Sequence, residues 1–196
     1  MFTGIIEEVG TITALTPQAE GRKMTIECTF ADACYVDQSI NVNGVCHTVI
    51  SNDDQSFTIQ SVEETLRKSA IGDLQEGDKI NLERSMTADR LLDGHIVQGH
   101  VDATGVILEV DEEENDRLFT IEYPEEHRKL IVPRGSISID GISLTVAREQ
   151  ADRFTVAIIP YTLEHTNLRQ RQPGDRVNLE FDILGKYVVR YMENRD

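Results

Sequence analysis

The stretch Leu74-Gln-Glu-Gly-Asp-Lys-Ile-Asn-Leu-Glu83 recurs as Arg171-Gln-Pro-Gly-Asp-Arg-Val-Asn-Leu-Glu180, 97 positions later. Further matches follow in the same order at this offset or at an offset of 95. They pair Val42–Val49 with Ile139–Val146, Glu64–Leu66 with Tyr161–Leu163, Thr25–Glu27 with Thr120–Glu122, and Gly4 and Gly10 with Gly99 and Gly105. Colinear matches over most of the chain indicate an internal duplication, so we expect two domains of one fold.

The two copies meet between Glu83 and His95, and each has about 90 residues, enough for a small domain with its own core. We therefore predict one domain over residues 1–88 and a second over residues 89–182. The remaining segment, residues 183–196, has no counterpart in the first copy.

Each copy contains short runs with the two-residue period of a half-buried strand. For example, Met24, Ile26 and Cys28 alternate with Thr25 and Glu27. Turns rich in glycine, asparagine and aspartate separate these runs. Several short strands in so small a unit favour a closed antiparallel barrel, because closure leaves no exposed strand edge.

The C-terminal segment changes to a helical period. Six apolar residues fall on one stripe of a helix: Ile183, Leu184, Tyr187, Val188, Tyr191 and Met192. This stripe either packs against its own barrel or is buried against other subunits, and we favour oligomerisation.

Charge and composition limit the partners of the chain. With 196 residues and a formal net charge of −16, its overall charge is opposite to that needed to bind nucleic acid or anionic membranes, although a local basic patch stays open. No apolar run approaches roughly 18 residues, the length of a membrane span, and we recognise no signal-peptide pattern. We expect a cytoplasmic protein. The acidic run at residues 111–116 is expected to be a solvated hairpin loop.

The chain has three cysteines and no Cys-x-x-Cys pair, which argues against a disulfide framework and against structural zinc. Cys28 lies on the apolar side of its predicted strand and is expected in the core. Cys46 shares a strand face with Thr48, and the aligned residues of the second copy are Ser143 and Thr145. These residues either line a polar pocket or belong to an ordinary barrel surface. An activated Cys46 thiol would be a nucleophile, whereas a cysteine without activation is a small buried apolar residue.

Two histidines, His95 and His100, lie at the start of the second copy. His100 aligns with Ile5, so this imidazole, which suits proton transfer near neutral pH, is present in one copy only. Similar modules with unlike polar residues predict two similar pockets. These would hold two like ligands, or one ligand with two similar halves.

The ordered set Met1–Ile6, Val42–Cys46, Gly94–His95, Gly99–His100 and Ile139–Val146 resembles the riboflavin synthase α-chain family of tandem lumazine-binding barrels. The resemblance covers essentially the whole chain. It implies two tandem six-stranded antiparallel Greek-key β-barrels and a C-terminal amphipathic α-helix that assembles a homotrimer. It also implies a transferase acting in the last step of riboflavin biosynthesis. Two 6,7-dimethyl-8-ribityllumazine molecules would give riboflavin and 5-amino-6-(D-ribitylamino)uracil without cofactor or metal. Association with lumazine synthase, the enzyme that makes the substrate, is left open.

The resemblance also implies functional residues, carried over position by position. The catalytic set is Phe2, Ser39, Cys46, His95, His100, Asp140 and Ser143. One lumazine would contact Gly4, Ile5, Ile6, Cys46, His47, Thr48, Gln60, Ser61, Val62, Glu63, Glu64 and Thr65. The other would contact Gly99, His100, Val101, Arg134, Ser143, Leu144, Thr145, Ala157, Ile158, Ile159, Pro160, Tyr161 and Thr162. The active site would pair the N-terminal barrel of one subunit with the C-terminal barrel of the next.

The implied chemistry needs proton transfer and a nucleophile. One lumazine loses a proton from its C7 methyl group, and the ring delocalises the resulting charge. The other accepts a nucleophile at C7, which is water, a hydroxyl or the Cys46 thiolate. We hypothesise that Cys46 and His100 assist activation and proton transfer, while Asp140 and Ser143 polarise and orient the other ligand.

The chain departs from the family pattern at two positions. His47 stands where the family usually has leucine, and alternation turns it away from Cys46. We interpret it as an outer-face substitution and leave a modified pocket open. Arg134 replaces the lysine of many relatives, which keeps the positive charge but changes the donor geometry.

Three alternative interpretations agree less well with the sequence. Non-catalytic lumazine- or flavin-binding antenna proteins of the same superfamily lose pocket residues, whereas this chain retains them. A flavin-reductase barrel would need a nicotinamide-binding domain, for which two barrels leave no room. A purely structural module would not explain unlike polar residues at equivalent positions.

Overall fold

The computed structural model describes residues 1–113 and 116–194. The first half forms β1 (Glu8–Gln18), β2 (Gly21–Glu27), β3 (Ser39–Val42), β4 (Val45–Asn52), β5 (Ser56–Val62), α1 (Glu63–Lys68) and β6 (Lys79–Arg84). The second forms β7 (Ala103–Glu113), β8 (Asp116–Glu122), β9 (Ser136–Ile139), β10 (Ile142–Glu149), β11 (Arg153–Ile158), α2 (Pro160–Glu164) and β12 (Arg176–Phe181), followed by α3 (Ile183–Glu193). Short 3-10 helices cover Ala31–Ala33, Ala70–Asp73, Glu125–Leu130 and Asn167–Gln170.

Each half closes into a six-stranded antiparallel barrel, as the strand pattern and the resemblance predicted. The first barrel has the order β1-β2-β5-β4-β3-β6, and β7 to β12 repeat this order. The order follows from the duplication, because equivalent strands carry equivalent apolar residues on their inner faces. The limits at residues 88 and 182 stay a prediction, since residues before β1 and before β7 contact the other barrel.

Each barrel has its own apolar core, built from the alternating residues of its strands. Ile26, Phe57 and Leu82 are fully buried in the first core, which also contains Cys28, as predicted from its strand position. Phe154 and Leu179 occupy the equivalent positions in the second core. Burying each of these side chains contributes about 2 kcal/mol to folding, and the two barrels are thus separately stabilised.

A polar junction joins the two barrels with local two-fold pseudosymmetry. The side-chain amide of Asn81 donates to the Asp140 carbonyl at 3.0 Å, and that of Asn178 donates to the equivalent Asn43 carbonyl at 2.7 Å. Asn81 Oδ1 accepts from the Asn167 amide, and Asn178 Oδ1 accepts from the equivalent Ala70 amide, both at 2.7 Å. These buried groups satisfy one another, so the relative position of the barrels is fixed by directional bonds.

The acidic run differs from its predicted loop. Residues 111–113 complete β7 and Asp116 begins β8, with Glu113 paired opposite Asp116 in the ladder. Residues 114 and 115 lie outside the described part of the chain. The expectation of a loop was wrong at both ends of the run, because the two strands extend beyond the barrel as an exposed ribbon whose carboxylates face solvent.

Helix α3 follows β12 directly and begins at the cap Asp182, whose carboxylate accepts from the Leu184 amide at 3.0 Å. Lys186 forms an ion pair with Asp102 at 2.5 Å, which ties the helix to the segment before β7. The predicted apolar stripe remains exposed in the single chain: Leu184 is 64% exposed, Tyr187 71%, Val188 57%, Tyr191 62% and Met192 63%. Ile183, the sixth residue of the stripe, is half-buried. Most of the stripe is therefore not covered by its own barrel.

Candidate active site

Two equivalent hairpins place Cys46 and Ser143. Asn43 and Gly44 connect β3 to β4 with φ values of 45° and 83°, and Asp140 and Gly141 connect β9 to β10 with 46° and 83°. Two left-handed residues in succession make the type I′ turn of a two-residue hairpin, which Asn-Gly and Asp-Gly favour. The turn fixes the register, so Cys46 and Ser143 each lie at the second position of the following strand.

A cavity of about 260 Å³ opens beside Cys46. The start of β4, the end of β5 and helix α1 form one part of it, and a segment from the second half forms the rest. The lining residues are Val45, Cys46, Val62, Glu64, Thr65, Lys68, Ser69, Gly99, His100 and Val101.

Residues 94–101 are the segment of the second half that lines the cavity, and we call them the second cover segment. The Cys46 amide donates to the Gly99 carbonyl at 2.8 Å. Gly99 has φ of 78°, and a Cβ there would lie 2.7 Å from Cys46 Cβ, so only glycine allows this approach. The buried Glu180 carboxylate accepts from the amides of Gln98, Gly99 and His100 at 2.7–2.9 Å. Glu180 thus fixes the backbone that brings His100 to the cavity.

Residues 1–6, the first cover segment, lie over the second barrel in the equivalent way. The Ser143 amide donates to the Gly4 carbonyl at 2.7 Å, and Gly4 has φ of 76°. Glu83 takes the place of Glu180 and accepts from Thr3 and Gly4 at 2.7–3.0 Å. In both buried carboxyls desolvation is the dominant influence and raises the pKa, although the donated hydrogen bonds oppose it.

The contacts of the two cover segments correct the predicted grouping of the ligand-binding residues. From the sequence, Gly4–Ile6 were expected to lie with Cys46, and Gly99–Val101 with Ser143. The structure places Gly99–Val101 at the Cys46 cavity and Gly4 against Ser143. Each barrel is covered by the segment that precedes the other barrel, which the order of residues along the chain does not reveal.

The second site brings two predicted catalytic residues together. His95 Nδ1 lies 2.7 Å from Ser143 Oγ. Burial lowers the pKa of His95, so its ring is neutral at neutral pH and can accept a proton. A hydroxyl hydrogen-bonded to a neutral imidazole is the arrangement that activates an oxygen nucleophile or relays a proton.

Exposure distinguishes the three thiols. Cys28 and Cys34 are buried, and desolvation raises the pKa of Cys28 to about 12 and raises that of Cys34 as well. Cys46 is half-buried at the cavity wall. Because thiolates rather than thiols react, Cys46 is the cysteine suited to chemistry.

Asp140 and Phe2 lie apart from the cavity. The Asp140 carboxylate is fully buried and accepts from Arg171 at 2.6 Å and from the Asn178 amide at 2.8 Å. It therefore orders the turn that presents Ser143, and its geometry gives no support to direct contact with a ligand. Phe2 is also fully buried, and its backbone pairs with Val97 and joins the two cover segments.

His47 lies inside the first barrel, which corrects its interpretation as an outer-face residue. It does point away from Cys46, as alternation required, but it is only 5% exposed. Its Nδ1 lies 3.0 Å from the Val45 carbonyl and its Nε2 2.7 Å from Ser61 Oγ. The ring is accommodated in the interior because both nitrogens have partners.

The remaining predicted site residues divide into four groups. Val62, Glu64 and Thr65 line the Cys46 cavity, whereas Ser39, Thr48, Gln60, Ser61 and Glu63 do not. Ile6, Leu144 and Ile158 pack with the second core. Those exposed or half-exposed around the second barrel are Ile5, Arg134, Thr145, Ala157, Ile159, Pro160, Tyr161 and Thr162.

Sequence reasoning did not assign a role to Glu83 and Glu180. The repeat itself contained the signal, because an acidic residue closes both copies of the quoted stretch at strand positions that are otherwise buried. A charge kept at a buried position in both copies needs a fixed set of donors, and the cover-segment amides supply them.

Within residues 1–113 and 116–194, no helix is long and apolar enough to cross a membrane. The same described residues contain no cluster of three or more His, Cys, Asp or Glu side chains arranged to hold a metal ion.

Comparison with known proteins agrees with the two-barrel structure. The Lumazine binding domain family matches residues 3–85 and 98–182. Among solved structures, LumP complexed with riboflavin superposes with a TM-score of 0.86 at 21% identity, covering 92% of this chain and 99% of that chain. LumP complexed with 6,7-dimethyl-8-(1'-D-ribityl) lumazine gives a TM-score of 0.83 at 21% identity, with coverage of 92% and 98%. At these identities the likeness concerns the fold alone.

Curated relatives are similar over nearly the full length. Riboflavin synthase of Mycobacterium bovis is 45% identical over 200 residues, covering 99% of both chains. That of Actinobacillus pleuropneumoniae is 42% identical over 193 residues, covering 98% of this chain and 90% of the relative. That of Bacillus subtilis is 37% identical with the same coverage. With two lumazine-binding domains and full-length similarity of this degree, the chain belongs to the riboflavin synthase family.

Proposed function

We propose that the chain converts two molecules of 6,7-dimethyl-8-ribityllumazine into riboflavin and 5-amino-6-(D-ribitylamino)uracil. A four-carbon unit moves from one lumazine to the other. The atoms of the two products are all present in the two substrates, so the stoichiometry calls for no external oxidant, reductant or group donor.

The observation that carries this proposal is the pair of equivalent sites with unlike chemistry. Each site has the same type of turn and a hydrogen bond to a glycine carbonyl of its cover segment. Each cover segment is in turn held by a buried glutamate of its own. The first presents the Cys46 thiol beside His100, and the second presents the Ser143 hydroxyl bonded to His95. Two like ligands that play different roles need such an arrangement.

The polar groups divide the work between the two lumazines. In the first site, Cys46 and His100 act on the bound ring as nucleophile and proton carrier. In the second, the Ser143 hydroxyl passes its proton to neutral His95 as its oxygen acts on the ring. Holding the two rings against each other converts a reaction between two molecules into one within a complex, which offsets several kcal/mol of barrier.

We propose further that the active form is a homotrimer, with the first site of one subunit facing the second site of the next. The surroundings of the second site are apolar and open: Ile5 is 41% exposed, Ile159 54% and Tyr161 67%. The exposed stripe of α3 supplies a second surface for a copy of the chain, because exposed apolar patches of this kind mark protein interfaces. The three free cysteines suit a reducing compartment, so the proposed location is the cytoplasm.

The test is incubation of purified protein with 6,7-dimethyl-8-ribityllumazine alone, followed by chromatography. Riboflavin and the pyrimidinedione should form in equal amounts, one of each for every two lumazines consumed. Tight binding of unchanged lumazine would contradict the proposal and assign the chain to the non-catalytic binding class.

A further inference from the structure

The wall of the first barrel opens between β4 and β5 at the Cys46 cavity. The last paired residues of these strands are Val49 and Ile59. From these residues towards the cavity, β4 continues to pair with β3, where Ile40 lies opposite His47. Over the same stretch, β5 continues to pair with β2. The cavity lies at this opening, with Cys46 on the β4 side and Val62 on the β5 side.

One side-chain hydrogen bond spans the opening. His47 on β4 and Ser61 on β5 are 5% and 1% exposed, and Nε2 of the first lies 2.7 Å from Oγ of the second. The Val45 carbonyl, 3.0 Å from Nδ1, can only accept a hydrogen bond, so Nδ1 carries the proton. Nε2 of the neutral ring therefore accepts a hydrogen bond from the Ser61 hydroxyl, so the donor and the acceptor of the bridge are both defined.

The second barrel opens at the equivalent place without this bridge. Its last paired residues are Val146 and Val156, the counterparts of Val49 and Ile59. The residues that follow, Leu144 and Ile158, are both apolar and pack with the second core. An apolar contact tolerates sliding, whereas a hydrogen bond between buried groups restricts both distance and angle.

We propose that the His47–Ser61 bridge is a positioning device, specific to the first site, that fixes β4 against β5 and so places Cys46 relative to Val62 across the cavity. His47 acts through its strand and does not touch the ligand. The consequence for lumazine binding rests on the proposed function. The consequence for the accessibility of Cys46 does not.

Breaking the bridge leaves a buried acceptor without a donor, and the strands move to let water reach it. Burial lowers the pKa of His47 to about 4, so the ring stays neutral at working pH and the direction of the bridge is retained there. Loss of the Ser61 hydroxyl should therefore change the position and accessibility of Cys46, which is one residue away from His47 on the same strand.

The experiment compares Ser61→Thr with Ser61→Val, because these side chains have nearly the same shape and only the first keeps the hydroxyl. Three quantities are measured: KM and kcat for 6,7-dimethyl-8-ribityllumazine, the alkylation rate of Cys46 by iodoacetamide, and Tm. Cys28 and Cys34 are buried and should react slowly with iodoacetamide. Peptide mapping identifies the alkylation of Cys46. The valine variant should show a KM about tenfold above that of the threonine variant and a faster alkylation of Cys46.

The double variant His47→Leu with Ser61→Val separates positioning from stability. Replacing both partners by apolar groups restores stability, because no buried polar group is left unpaired. We expect a Tm near that of the parent with KM and alkylation still altered. Recovery of all three would overturn the proposal, as would equal behaviour of the threonine and valine variants. If the parent did not turn over lumazine, the proposed function would fail, and the alkylation rates would still decide the positioning role.

Discussion

At the scale of single residues, burial determines which thiols and imidazoles are available for chemistry. Cys28 lies in the first core, where desolvation raises the pKa of its thiol to about 12. Cys46 occupies an outward position of its strand at the cavity wall and is half-buried. Residues of the same type therefore have different chemistry because the two-residue period of their strands turns them to different faces.

Replacing Cys46 by alanine should lower kcat/KM by roughly 100-fold, the lower end of the range for a group that participates in proton transfer or attack. Steady-state turnover of lumazine is the measurement. Cys34→Ala is the matched control, because it also removes one thiol, but Cys34 is buried in the first core and does not line the cavity. Full turnover in Cys46→Ser would show that the thiol is not the nucleophile.

His47 should make the stability of the chain depend on pH. Burial, opposed only by the hydrogen bond to the Val45 carbonyl, lowers its pKa from 6.5 to about 4. Between these values the unfolded chain binds more protons at this residue, so its contribution is complete above pH 6.5 and is lost as pH falls towards 4.

His47→Leu removes this contribution. The decrease in the free energy of unfolding between pH 6.5 and pH 4 should then be smaller by up to about 3 kcal/mol. Urea unfolding at several pH values in this range measures the difference. An identical pH slope in parent and variant would contradict the assignment of a neutral buried ring.

At the scale of elements, the cover segments connect the two barrels and complete both sites. Each is held by one buried carboxylate and approaches a strand of the other barrel through a glycine carbonyl. Gly99 illustrates how narrow this approach is, because the Cβ of any other residue would overlap Cys46.

Gly99→Ala should therefore weaken lumazine binding and destabilise the chain by more than about 2 kcal/mol. Gly77→Ala is the control, since Gly77 has φ of 93° but a Cβ at that position would meet nothing within 4 Å. It should cost only about 1 kcal/mol of backbone strain and leave binding intact. Denaturant unfolding and fluorescence titration with lumazine measure both effects, and equal losses in the two variants would refute the close-contact argument.

At the scale of the whole molecule, α3 is attached beside the second barrel and presents an apolar face to solvent. The Lys186–Asp102 ion pair and the Lys129–Glu193 ion pair hold it in this place. Its exposed stripe points away from these anchors and is the surface assigned to subunit contacts in the proposed trimer.

Tyr187→Asp should dissociate the proposed trimer and reduce turnover, because a charge would be buried in the centre of the apolar contact. Sedimentation velocity measures the change from three chains to one. Arg190→Asp is the control on the same helix, since Arg190 is exposed and lies off the stripe. An unchanged sedimentation coefficient in Tyr187→Asp would mean that α3 does not hold the subunits together.

The amino-acid sequence alone determined the duplication, the barrel class and the C-terminal helix. These features depend on local signals: the repeat offset, the two-residue period of strands, and a helical stripe after the last strand. Strand alternation also placed Cys46 on one face with Thr48, and Ser143 on one face with Thr145.

Only the tertiary structure decided which segment covers which barrel and which face of β4 is the interior. Gly4 and Gly99 both precede a first strand, and nothing local indicates that each crosses to the other barrel. Alternation correctly separated Cys46 from His47 but could not say which was inside. A polar ring is buried in a core when both its nitrogens have hydrogen-bond partners. For His47 one of these partners is Ser61, which lies 14 residues away in the chain. Such pairings arise from barrel closure, which brings together residues that sequence patterns treat as independent.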